Sequence, residues 1–192
     1  MEDPRRFNLK AWLLWTAGFL AFPIAGVLAT ALVGRINDAG SALVGGMVAG
    51  AVIGTGQWLV ARRLIDAQTW IPATALAMGV GLLVGAWVVG YGTSLGELAL
   101  MGAITGVPLG AAQAYLLRDR VANAWLWAAA MPVLWALGWT VTTAGGIAVD
   151  RQFAVFGAYG AITFMALSGV LVDRLRAATP APQPDPSTAI VH

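Results

Sequence analysis

The chain is 192 residues long, the size of one ordinary domain, yet 59% of it is apolar, only 10% is charged and its mean hydropathy is +0.76. Soluble domains run nearer half apolar and a quarter charged, and a globule this small could not hide so much apolar side chain from water, which excludes a soluble enzyme. The net charge of +2 comes with no cysteine and a single histidine, His192, so disulfides, thiolate metal sites and histidine-based catalysis or metal binding lose their usual carriers.

Six apolar segments follow one another, each close to the roughly 20 residues that a helix needs to cross about 30 Å of hydrocarbon. They are Ala11–Val33, Ala42–Val60, Trp70–Val89, Leu98–Leu117, Trp125–Thr143 and Phe153–Val172, and no charged side chain lies inside any of them. They lack the alternating polarity of barrel strands, and lipid offers the backbone no outside partners, so helices are expected. The predicted fold is all-α: a six-helix transmembrane bundle over residues 11–172, with a short arm at 1–10 and a proline-rich disordered tail at 173–192.

Charge orients the bundle. Arg5, Arg6, Lys10, Arg62, Arg63, Arg118, Arg120, Arg174 and Arg176 fall on one side, nine basic residues against Arg35 and Arg151 on the other. The positive-inside rule then puts both termini in the cytoplasm, as an even number of spans also requires. A cleaved signal peptide ending near Ala29-Thr30-Ala31 is the competing reading of the first span, but the apolar run is longer than the 7–15 residues typical of such leaders. The expected location is a bacterial cytoplasmic membrane, crossed several times. One lysine against ten arginines fits a GC-rich bacterial genome.

The second and fourth segments share a pattern. Gly46, Gly50, Gly54, Gln57 and Arg62 recur 56 residues later as Gly102, Gly106, Gly110, Gln113 and Arg118. Arg174 and Arg176 continue the same offset from Arg118 and Arg120, with Gly169 at the glutamine position, so the sixth segment reads as a decayed third copy. Three helical hairpins in parallel orientation are therefore predicted.

Gly50 to Arg63, with Gln57-Trp58-Leu59 and Arg62-Arg63, followed by Trp70-Ile71, resembles a loose group of uncharacterised bacterial polytopic membrane proteins. Their Gly-x-x-x-Gly-x-x-Gln-Trp-Leu run precedes a basic pair and Trp-Ile. The second copy departs from it at Ala114-Tyr115 and at Asp119, which splits the basic pair. The resemblance covers about two-thirds of the chain and implies no established activity. Three hairpins are also the architecture of mitochondrial carriers, but Pro23, Pro72 and Pro132 are followed two positions on by Ala25, Thr74 and Leu134, not by the acidic residue those carriers need.

Each glycine set steps by four and forms one helical stripe. Small residues let two helix backbones approach, strengthening dispersion contacts where the hydrophobic effect is absent. A glycine-lined pore is the competing reading. Gln57 and Gln113 extend the stripes and must face other helices, because an unpaired amide in lipid costs several kcal/mol. They serve either as interhelical hydrogen bonds or as a polar contact for a solute or headgroup. Arg62, Arg63, Arg118, Arg120, Arg174 and Arg176 set topology or hold anionic lipid headgroups. Asp66, Asp119 and Asp173 balance them, Asp38 and Asp150 sit beside Arg35 and Arg151, and Ser94-x-x-Glu97 reads as a capping box. No carboxylate lies at mid-membrane, where proton or cation coupling would need one. Trp12, Trp15, Trp58, Trp70, Trp125 and Trp127 read as a cytoplasmic aromatic belt, with Trp87, Tyr91 and Trp139 outside.

No catalytic residue, cofactor or metal site is expected, nor a nucleic-acid partner. The expected partners are the lipid bilayer and other membrane helices, including a second copy of the chain. Two functional readings remain: a non-enzymatic packing, assembly or interaction subunit, and a passive channel or uncoupled transporter for a small neutral solute.

Overall fold

The structure, a computed structural model, describes residues 7–146 and 154–179. Expectations placed on Arg5, Arg6, Asp150, Arg151 and the tail from residue 180 onward lie outside those residues. The chain is all-helical, and six helices are long and apolar enough to span a membrane: α1 (Leu9–Val33), α2 (Ala39–Ala61), α3 (Ala67–Val88), α4 (Leu95–Leu117), α5 (Trp125–Ala144) and α6 (Ala158–Ala177). At 1.5 Å per residue, their 20 to 25 residues reach about 30–37 Å, the thickness of a hydrocarbon core. This is a multi-pass membrane protein.

Helices α2, α3 and α4 each begin three residues before the apolar segment read from hydropathy. The added turn is polar because it is a cap. Asp38 and Ser41 form a reciprocal capping box on α2, the Asp66 side chain accepts the Thr69 amide on α3, and Ser94 and Glu97 form a second box on α4. Hydrogen bonds from Ser41 hold the Asp38 carboxyl below its ordinary range. Helix α1 ends on Gly34, whose φ of +70° suits only a residue without a side chain. Within α1 a 3-10 turn at Gly18–Leu20 separates two α-helical stretches, because Pro23 has no N–H for the Phe19 carbonyl and its ring crowds the preceding turn. At the other end of the chain, α6 begins at Ala158 and runs to Ala177, so Arg174 and Arg176 fall in its last helical turn, where cations complement the helix dipole.

Each helix packs against the next in sequence, and α6 returns to pack against α1, closing a ring. Side chains fill the middle. Phe22 of α1 stacks on Phe156 at 5.2 Å and meets Trp135 of α5 and Phe164 of α6 at 6.4 and 5.7 Å between ring centres. Phe156 lies in the stretch before α6 and also meets Trp135 at 4.9 Å. Such aromatic pairs contribute beyond their buried area. All four rings are buried.

The glycine stripes lie on tight seams. A Cβ at Gly46 or Gly50 would stand 2.8 Å from the Met78 carbonyl oxygen or 2.7 Å from that of Thr74, both on α3. A Cβ at Gly102, Gly106 or Gly110 would stand 2.8, 2.6 and 2.8 Å from the carbonyl oxygens of Trp135, Met131 and Ala128 on α5. Gly54 has slightly more room, with Thr74 Cβ at 3.2 Å. Backbone faces backbone along both seams, so no side chain can be added without parting the helices.

Candidate functional site

Three buried polar residues, Gln57, Gln113 and Thr74, meet in the interior. Gln57 lies on α2 one turn beyond Gly54, and Gln113 lies on α4 one turn beyond Gly110. Their side chains meet across the ring: Gln113 Nε2 donates to Gln57 Oε1 at 3.2 Å and to Thr74 Oγ1 of α3 at 3.1 Å. Trp70, in the first turn of α3, donates its indole N–H to Gln57 Oε1 at 3.0 Å. Trp127, in the first turn of α5, donates to Gln113 Oε1 at 3.0 Å. Both N–H groups and the carbonyl of the Gln113 amide are thus engaged, and the residue is 0% exposed; Gln57 is 2% exposed. This satisfies what the Gln113 amide needs in a dry interior, while at Gln57 it is the carbonyl oxygen that accepts two bonds.

A related arrangement closes the ring between its last and first helices. Trp15 of α1 donates to Ser168 Oγ of α6 at 3.0 Å, and Trp12 donates to the Ala166 carbonyl at 2.9 Å. Sequence offset points to Gly169 as the third counterpart of the glutamines, but the neighbouring Ser168 makes the bond. Gly169 instead gives the two indoles room, since a Cβ there would stand 2.9 Å from Trp15 and 3.0 Å from Trp12. Trp15 in turn meets Trp127 edge-on at 6.0 Å. One chain of contacts, Ser168–Trp15–Trp127–Gln113–Gln57–Trp70, therefore touches all six helices.

No protein-family model, curated protein or solved structure matches the chain. Among the described residues no group of three or more histidine, cysteine, aspartate or glutamate side chains could hold a metal ion.

The tryptophans depart from the belt expected of them. Trp15, Trp70, Trp127 and Trp139 are buried, whereas Trp125 is 64% exposed and Trp87 is exposed too. The reason is the indole N–H. In a first helical turn it can serve the membrane interface or reach inward, and here a glutamine or serine one helix away supplies an acceptor for Trp70, Trp127 and Trp15. The signal in the sequence was the spacing, with Trp70 13 residues after Gln57 and Trp127 14 after Gln113. Thr74 and Ser168 carried no comparable mark.

The arginines divide into two groups. Arg118 donates to the Tyr115 carbonyl at 3.0 Å, stacks over the Tyr115 ring at 3.7 Å and pairs with Asp119 at 3.4 Å. Arg120 donates to the Leu64 carbonyl at 2.9 Å, tying the α4–α5 turn to the α2–α3 turn. Arg62, Arg63 and Arg176 instead line a cavity of about 530 Å³ between α1, α2 and α6, with Lys10, Asp173 and Trp12. Arg174 is exposed and does not line it.

Proposed function

We propose that this is a non-enzymatic membrane subunit: a rigid six-helix body in a bacterial cytoplasmic membrane, with both termini in the cytoplasm, that serves packing or assembly with other membrane helices. The single observation carrying this reading is the Gln57–Gln113 cluster. The whole Gln113 amide and the Gln57 carbonyl oxygen are spent on Trp70, Trp127, Thr74 and each other, which commits them to holding helices together. A channel would have to break these bonds in a medium that supplies no replacements.

The internal correspondences support an origin by duplication, with a unit offset from the expected hairpins. Seam α2–α3 pairs Gly46, Gly50 and Gln57 with Met78, Thr74 and Trp70; seam α4–α5 pairs Gly102, Gly106 and Gln113 with Trp135, Met131 and Trp127. The first set of each pair recurs after 56 residues and the second after 57. We read an even helix with the odd helix after it as the unit, and α6–α1 as the copy completed across the chain ends. The group with the repeated Gln-Trp-Leu run is the proposed kinship.

The chain has no cysteine, so the test is direct. Gln57→Cys, Gln113→Cys and Thr74→Cys variants would be reconstituted into vesicles, challenged with a membrane-impermeant thiol reagent, and wild-type vesicles assayed for swelling in glycerol or urea. Protection of all three with no swelling above empty vesicles is expected. Rapid labelling at Gln113→Cys, or solute-driven swelling, would replace this reading with the channel.

A further inference from the structure

The cavity between α1, α2 and α6 has an apolar neighbour. A groove of about 370 Å³ between α1 and α2 is lined by Gly18, Ala21, Ile24, Val52, Thr55 and Gly56, among others, and Leu59 and Val60 line both spaces. Cavity and groove therefore adjoin. The two ends differ sharply in chemistry. The cavity carries four cationic side chains, Lys10, Arg62, Arg63 and Arg176, against one carboxylate, Asp173, which accepts the Asn8 amide at 3.3 Å. Its inner wall holds Trp12 and Trp15, whose indole N–H groups are already committed to α6. The groove is apolar, and its one hydroxyl, Thr55, donates to its own helix at the Ala51 carbonyl.

A basic cavity at the arginine-bearing end of a membrane bundle, adjoining an apolar groove along two spanning helices, has the polarity profile of an anionic amphiphile. The charge complementarity is local. Arg118 and Arg120 belong to the same end of the molecule, yet they are engaged with Asp119, Tyr115 and Leu64. Among the described residues, no ion pair involves the four cavity cations. The groove exists because α1 is interrupted at Gly18–Leu20 and crosses α2 at small residues. A Cβ on Gly56 would stand 2.5 Å from that of Ala21, so the helices touch there and leave the flank of the crossing unfilled.

We propose that this cleft is a binding site for one anionic phospholipid of the surrounding bilayer. Its phosphodiester lies among Arg62, Arg63, Arg176 and Lys10, and one acyl chain lies along the α1–α2 groove. The site is independent of whether the interior conducts, since none of Gln57, Gln113, Thr74, Trp70 and Trp127 lines it.

The full-length protein in phosphatidylcholine nanodiscs would be titrated with phosphatidylglycerol and read by native mass spectrometry, with thermal unfolding as a check on the fold. One lipid per chain is expected to be retained in preference to phosphatidylcholine. Each basic residue near such a surface contributes about fivefold in affinity, so the triple variant Arg62→Gln, Arg63→Gln, Arg176→Gln should lose about 100-fold. The off-cleft pair Arg118→Gln, Arg174→Gln should change affinity less than about threefold. Leu59→Trp tests the tail arm at a position already 57% exposed, where the fold should tolerate a larger side chain, and should weaken retention at least about fivefold. Inorganic phosphate at millimolar concentration should not displace the lipid. Equal losses in the on-cleft and off-cleft variants would show diffuse surface attraction and overturn the proposal. So would displacement by inorganic phosphate, or retention unaffected by Leu59→Trp.

Discussion

Replacing Gln113 by leucine keeps the side-chain volume close to native and removes three hydrogen bonds, to Gln57, Thr74 and Trp127. Replacing Gln57 removes two, to Trp70 and Gln113. The bond between the glutamines is common to both losses. Interhelical hydrogen bonds in membrane proteins average about 0.6 kcal/mol, reaching about 1.7. Gln113→Leu should therefore cost about 1.8 kcal/mol, Gln57→Leu about 1.2, and the double variant about 2.4, which is about 0.6 less than additive. These are lower bounds, because each substitution also strands an indole N–H in the interior. The assay is reversible unfolding in mixed micelles of a mild and a denaturing detergent, read by tryptophan fluorescence and run as a double-mutant cycle. Strict additivity would mean the glutamines do not touch. A Gln113→Leu cost no larger than that of Gln57→Leu would refute the assignment of Gln113 as the hub.

Two further outcomes follow from the same geometry. Gly106→Ala should destabilise by about 1–3 kcal/mol, since its Cβ would stand 2.6 Å from the Met131 carbonyl oxygen and 2.6 Å from Pro132 Cα; Gly96→Ala, with nothing within 4 Å, should be neutral or stabilising by up to about 1 kcal/mol. The same detergent titration distinguishes them, and equal effects would remove the case for backbone contact along the α4–α5 seam. Asp38 has a carboxyl lowered below its usual 3.8, chiefly by the Ser41 amide. A lowered folded value means that its capping contribution is complete above the unfolded value and disappears as pH falls through the folded one. Wild-type stability should accordingly drop below about pH 4 relative to Asp38→Asn, which caps without titrating; parallel acid limbs for the two proteins would contradict it.

Much of this architecture was legible because lipid imposes simple rules. Apolar length alone marks each helix, and a glycine every fourth residue marks the face on which another backbone lies. Gln57 and Gln113 stood out because an amide inside an apolar segment needs a partner. Which partner was not legible. Trp70 and Trp127 sit where an interfacial belt would place them, and only the inward turn of their helices decides that the indoles point to the glutamines. The return of α6 to α1 was equally hidden, since Ser168 and Trp15 are 153 residues apart and neither stands at the repeat offset. Hydropathy also missed the first turns of α2, α3 and α4, because a cap is polar by necessity. Headgroup contact was legible as one reading of all six arginines, but not which of them would serve the proposed cleft: Arg62 and Arg118 look alike in sequence, and only their surroundings separate a spent cation from one left facing a cavity.

Reporter domains fused after residues 37, 66, 93 and 121 test the six-span account most directly, because each turn must alternate sides. Positions 66 and 121, in the arginine-bearing turns, should report the cytoplasm, and positions 37 and 93 the opposite compartment. If 66 and 93 report the same side, α3 does not cross the bilayer, and neither the closed ring nor the Gln57–Gln113 cluster inside it can stand.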